Sequence, residues 1–162
     1  MAFDTYLEIK DIPGEATGMP DTIEVYSFSW GASNPITVGS GTSGMAGGKV
    51  SISSFNIMKK TDKASAKLFL YCCNGTHIPD MTLHMRKQTG EGGQADFLVY
   101  KFTEVMVESI QWSGSTGGDD SPTESVSFAF AKVEITYSKQ GEDGAMAVAG
   151  ESAWDVRSVS NA

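Results

Sequence analysis

The chain is poor in the residue types that most often carry chemistry. Its 162 residues include two cysteines and two histidines. The cysteines, Cys72 and Cys73, are adjacent, and a disulfide between neighbours is strained. No Cys-x-x-Cys pattern is present, so neither a structural bridge nor redox chemistry is expected, which suits folding in a reducing compartment. His77 and His84 have no Asp, Glu or Cys at a recurring ligand spacing, which removes the usual ground for a metal site. No motif supports a Ser-His-carboxylate triad. The sequence thus nominates no catalytic, cofactor-binding or metal-binding residue.

Long apolar runs are also missing. The longest, Leu68 to Cys73, is far short of the roughly 20 residues that span a bilayer, so no membrane insertion is expected. The opening Met1-Ala2-Phe3-Asp4 has no basic n-region and no apolar h-region, so no secretory signal is read and any export needs another route. Cations are scarce as well: 12 Lys+Arg against 20 Asp+Glu give a net charge of -8. That balance argues against a nucleic-acid partner. The length suits a single domain over residues 1–162.

Glycine, by contrast, is abundant, at 18 residues of 162 against a usual ~7%. It clusters at Gly39 to Gly48, Gly90 to Gly93 and Gly114 to Gly118, between β-branched and aromatic runs. This is the pattern of strands joined by glycine-rich turns. Phe3 to Lys10 reads as a first strand and Thr22 to Trp30 as a second. In the second, Tyr26, Phe28 and Trp30 alternate with Ser27 and Ser29, which predicts an aromatic face in the core and a small polar face outside. Ile23 and Val25 have the opposite parity, as expected of a bulge or bend near Val25. Val50 to Lys59, Met81 to Lys87, Asp96 to Trp112 and Glu124 to Tyr137 are further strands. Parity switches recur in them, between Ile52 and Phe55 and again between Phe130 and Val133. Such switches predict bulged, strongly curved sheets of the kind that close into barrels. Lys139 to Ser152 lacks a clear period and reads as a loop, with a short terminal strand from Trp154 to Val159.

One helix is predicted over about 62–73. Thr61 or Asp62 caps it, Ala64, Leu68, Tyr71 and Cys72 form its inward stripe, and Asn74-Gly75 ends it. The stretch from Ala32 to Gly48 reads as a glycine-rich arm, unusually long for a compact domain. Its Gly39-Ser40-Gly41-Thr42-Ser43-Gly44 is not a phosphate loop, because no helix N-terminus follows. Asn74-Gly75-Thr76 is a formal glycosylation sequon that carries no weight without a secretory signal. Asp119-Asp120 near Glu124 reads as a solvated acidic turn in preference to a calcium site. Charge runs in blocks. Residues 1–48 hold one cation and six anions, residues 49–87 seven and two, and residues 88–162 four and twelve. Unlike blocks either pair within the chain or steer unlike faces of neighbouring subunits together.

A family resemblance rests on residues along the whole chain. Phe3-Asp4-Thr5-Tyr6-Leu7-Glu8-Ile9-Lys10 and Ile12-Pro13-Gly14-Glu15 resemble the start of the haemolysin-coregulated protein (Hcp) family. Ile23-Glu24-Val25 with Phe28-Ser29-Trp30-Gly31 is similar to its second strand, and the glycines before Gly48-Lys49-Val50 stand where it has an extended loop. Lys60-Thr61-Asp62-Lys63-Ala64-Ser65 through Leu68 resembles the start of its helix. His77-Ile78-Pro79, Arg86-Lys87, Glu124-Ser125-Val126, Phe130-Ala131 and Trp154-Asp155-Val156-Arg157 complete the likeness.

The resemblance implies a mainly β fold, two curved antiparallel sheets closing into a β-barrel with one flanking α-helix. It implies the inner-tube subunit of a type VI secretion system: homohexameric rings that stack, with effector cargo in the lumen and spike and sheath proteins as further partners. Assembly would be cytoplasmic, followed by secretion through the apparatus itself without a signal peptide. Ser27 and Ser29 are the expected lumen-lining residues. Gly39, Ser40, Gly41, Thr42, Ser43, Gly44 and Met45 are the expected inter-ring or inter-subunit contacts, reaching a neighbour by main-chain pairing. The alternative from another class is a β-sandwich carbohydrate-binding module using exposed aromatics such as Trp112 or Trp154.

Overall fold

Two long strands form the spine of the structure, a computed structural model that describes residues 2–39, 44–90, 92–118 and 120–161. In chain order the strands are β1 (Asp4–Ile9), β2 (Ile23–Glu24), β3 (Ser27–Ser29), β4 (Ala32–Ser33), β5 (Ile36–Val38), β6 (Met45–Gly47), β7 (Ser51–Ile52) and β8 (Phe55–Lys60). Helix α1 (Ser65–Asn74) follows, then β9 (Ile78–Gln88), β10 (Gln94–Ser113), β11 (Thr123–Gln140), β12 (Met146–Asp155) and β13 (Ser160–Asn161). The spine is the antiparallel pair β10 and β11.

Two curved sheets share that spine. Along β11, Thr123–Phe128 pairs with β8, whereas Lys132–Gln140 pairs with β12 on the same edge. One sheet therefore runs β13-β12-β11-β10-β9-β1-β2, and the other runs from β11 through β8 to β3. The fork lies at Ala129 to Ala131. There Glu104 of β10 takes a left-handed conformation (φ 52), and Phe102, two residues before it, and Val105, just after it, are both fully buried. Three residues apart, they would face opposite sides of a regular strand. Phe130 and Val133 of β11 show the same spacing; Phe130 packs on the core and Val133 is buried within it. The parity switch is thus a real bend, made by both strands at one level, and the mainly β, curved antiparallel fold with one flanking helix is as expected.

The barrel closes at Val25 and Tyr26. The Val25 N–H donates to the Thr5 carbonyl at 3.0 Å and the Tyr26 N–H to the Met58 carbonyl at 2.9 Å. Successive residues thereby pass from the edge of one sheet to the edge of the other. The core between them holds Leu7, Ile23, Leu83, Phe102, Val126 and Phe128, all fully buried. Phe55 lies 4.6 Å, centre to centre, from Phe102 and 6.1 Å from Phe128.

Helix α1 begins at Ser65, later than the predicted 62. Asp62 still organises its start, since its carboxylate accepts the Ala64 N–H at 3.0 Å. Gly75 ends it in the left-handed region (φ 69), donating its N–H to the Tyr71 carbonyl. The helix is anchored by a buried polar knot. Lys59 and Glu124 are opposite each other in the β8–β11 register and both are fully buried. The Lys59 Nζ donates to Glu124 Oε1 at 3.1 Å, Asp62 Oδ1 at 3.0 Å and Ser65 Oγ at 3.0 Å. Ser65 in turn donates to Glu124.

Three expectations are corrected. Lys139 to Ser152 is not a loop: β11 runs to Gln140, a tight turn closes by Gly141 N–H to the Ala145 carbonyl at 2.8 Å, and β12 starts at Met146. The run was hidden because β12 faces solvent through most of its length and so has no apolar alternation. Trp154 to Val159 is not one strand either. The Asp155 carboxylate accepts the N–H groups of Arg157 and Ser158 at 2.9 and 3.0 Å and turns the chain before β13. Tyr26, expected in the core with Phe28 and Trp30, is 58% exposed. It sits at the barrel rim, with the Lys60 ammonium 5.9 Å from its ring centre, where no further layer covers it.

Candidate functional face

Ser27 and Ser29 are exposed, and their strand neighbours Phe28 and Trp30 pack against the core. The tertiary structure extends their face across four strands. Ser29 lies opposite Asn56, Asn56 opposite Ser127, and Ser127 opposite Ser109. The next row is Ser27, Met58, Ser125 and Gln111. The Ser127 hydroxyl donates to Asn56 Oδ1 and ties two of these strands together on the outer face. These eight positions contain no charge and one large apolar side chain, Met58. Charge borders the face at Lys60 and at Glu108, whose carboxylate accepts the Ser54 hydroxyl at 2.6 Å.

Sequence reasoning singled out only Ser27 and Ser29 from this face. Asn56, Ser109, Gln111, Ser125 and Ser127 were missed, although Ser125-Val126-Ser127-Phe128 shows the same alternation as Ser27-Phe28-Ser29-Trp30. That β3, β8, β11 and β10 stand side by side is a matter of register, which a single sequence does not print.

The arm proves to be a pair of ribbons. β4 pairs with β7, and further out β5 pairs with β6. Of its expected contact residues, Gly39, Gly44 and Met45 are exposed at the outer ribbon, where the Gly39 N–H donates to the Gly44 carbonyl. Ser40, Gly41, Thr42 and Ser43 lie outside the described residues.

The opposite outer surface, over β1, β9, β10 and β11, is rich in charge. Glu8, Thr82, Lys101 and Glu134 form one row; Tyr6, His84, Val99 and Thr136 form the next. The His84 Nδ1 lies 3.0 Å from Asp96, and the same carboxylate meets Arg86 at 3.1 Å. Tyr6 is buried among these groups; burial first, and then the negative charges of Asp4 and Glu24, push its phenol above the usual range. Lys59 and Arg86 show what becomes of the basic central block: at least these two cations are consumed within the chain. Glu124, the residue nearest a possible calcium site in sequence, is consumed with them. Burial pushes its carboxyl up, but the hydroxyls of Ser65 and Thr61 and the Lys59 ammonium outweigh that and hold it below the usual carboxylate range.

The two aromatics of the carbohydrate-module reading are placed differently. Trp154 packs against the core, and the Trp112 ring lies 5.8 Å from that of Phe69.

Comparison with known proteins agrees with the fold. The family model for "Type VI secretion system effector, Hcp" matches residues 6–137. The protein hcp1 of Pseudomonas aeruginosa is 37% identical over 146 residues, which is 90% of this chain and 89% of that one. A solved type six secretion system protein superposes with a TM-score of 0.91 at 36% identity, covering 99% of this chain and 100% of the other. Hcp1 from Salmonella typhimurium gives 0.74 at 28% identity over 100% of both chains. The chain belongs to the Hcp family of type VI secretion system proteins.

Proposed function

We propose that this chain is the subunit of the inner tube of a type VI secretion apparatus. Six copies form a ring, rings stack into a tube, and effector cargo occupies the lumen. The observation that carries this reading is the neutral face of Ser27, Ser29, Asn56, Ser109, Gln111, Ser125 and Ser127 on the outside of a curved sheet. A wall that guides varied cargo needs hydrogen-bonding groups that hold no fixed charge and expose little apolar surface, so that nothing binds it too tightly. In this role the chain needs no catalytic group. The protein assembles in the cytoplasm with spike and sheath proteins and leaves through the apparatus, and among the described residues no helix is long and apolar enough to cross a membrane.

The arm has the second part. It holds few core residues, so deleting Ser40 to Ala46 should weaken ring stacking more than folding of the subunit. Sizing and negative-stain microscopy test the whole reading. Ring-shaped particles of about six times the 17.3 kDa chain mass are expected. A chain that runs as a monomer at every concentration would contradict it. Ser29→Tyr should keep the rings and lose co-purifying effector.

A further inference from the structure

Helix α1 carries two apolar stripes, and the chain covers only one. Ala64, Leu68 and Cys72 face the sheet. Ala66, Phe69, Leu70 and Cys73 follow one another at i, i+3, i+4 and i+7, which places them along one side. All four are exposed, Phe69 at 49% and Leu70 at 52%. Trp112, at the end of β10 and 45% exposed, lies beside Phe69 and widens the strip. A helix that is apolar on two sides is ordinarily buried on both.

The outer ribbon of the arm presents the reverse problem. Val38 of β5 is directly opposite Met45 of β6, and Ile36 is two residues from Val38, so all three share one side of the ribbon. They are 72%, 77% and 59% exposed. Thr37 and Ala46 take the other side. Among the described residues the β5–β6 pair is hydrogen-bonded to no further strand, and an isolated two-stranded ribbon is marginal in water. Residues 32–48 contain no charged side chain, so laying the ribbon on an apolar surface strips no ion of its water. Both surfaces stay open among the described residues of one chain, and neither covers the other there.

We propose that the Ile36–Val38–Met45 side of the ribbon of one copy docks on the Ala66–Phe69–Leu70–Cys73 stripe and Trp112 of a neighbouring copy. Two unlike patches on one chain make a heterologous contact, the type that generates rings and stacks. The inference rests on the tube-subunit reading and adds the seat of the arm to it. Cys73 lies inside the seat as an exposed free thiol and so reports on it directly. In assembled protein, Met45→Cys or Val38→Cys treated with a short bis-maleimide should give covalent dimers and higher ladders, which disappear when Cys73→Ser is added. Leu70→Asp should raise the concentration needed for assembly at least about tenfold, as expected for a residue at an interface centre. Its thermal transition should stay near wild type, because Leu70 lies outside the core. Intact rings without a Cys73-dependent cross-link, ladders that survive Cys73→Ser, or unchanged assembly of Leu70→Asp would each overturn the seat while leaving the tube reading in place. A wild-type chain that never assembles would overturn both.

Discussion

The two outer surfaces of the barrel lie over the same core and are built from the same long hairpin, yet they differ in chemistry. Over the first half of β11 the outward residues are Ser125 and Ser127, flanked by Asn56, Ser29, Ser109 and Gln111. Over its second half they are Lys132 and Glu134, with Lys101, His84, Asp96 and Arg86 on the strands beside them. The change falls at the bend near Glu104 and Ala131. A bend in both strands lets one hairpin serve two sheets, and each sheet can then carry its own surface. The lesson is that net charge describes this protein badly: the two rows of the neutral face hold no charge, whereas anions and cations stand side by side on the other surface.

The most severe way to break the comparison is to remove what both surfaces rest on. Phe102 is fully buried between the sheets, and Phe102→Ala should cost about 3–5 kcal/mol in urea unfolding, degrading both surfaces together. Next comes the knot that holds α1 to the edge of the neutral sheet. Lys59→Met leaves Glu124 buried without its cation and should cost about 3 kcal/mol, much of it recovered when Glu124→Leu is added. The same knot sets an acid limit. The folded carboxyl of Glu124 is held below its unfolded value, near 4.3. Its contribution is therefore full above that pH and fades as the pH falls through the folded pKa. Glu124→Gln should flatten that part of a stability–pH curve.

Smaller effects separate the surfaces from each other. Asp96→Asn weakens the link to both His84 and Arg86 on the charged side, and should cost about 1 kcal/mol while rings still form. Ser127→Asp loses the hydroxyl bond to Asn56 and should cost about 1 kcal/mol of subunit stability. It nonetheless places six like charges around the proposed lumen, so effector co-purification should fall several-fold. Equal effects of these two changes on cargo would erase the functional distinction between the surfaces.

Much of the architecture was legible because burial writes a period into the chain. Tyr26 to Trp30 and Val126 to Phe130 alternate, and their parity breaks marked the bends correctly. The helix was legible from Leu68, Cys72 and Gly75. β12 was not, because a strand exposed on both sides needs no alternation to fold. Tyr26 was misjudged because alternation tells which side a residue faces and not where the core stops. Of the functional face, two residues could be named from one strand, and five came only from strands that lie 27 or more positions away in sequence.

By itself, then, the sequence determined the fold class, the helix, the bends and the family likeness, since these follow from local periodicity and from residue types that solvent and backbone geometry constrain directly. Only the tertiary structure decided that Ser27, Asn56, Ser109 and Ser127 share a surface, that Lys59 and Glu124 meet in the interior, and that the arm is a ribbon with one apolar side. Each of these depends on pairing between distant segments. Register is fixed by the whole core at once, and no local stretch of the chain carries that information.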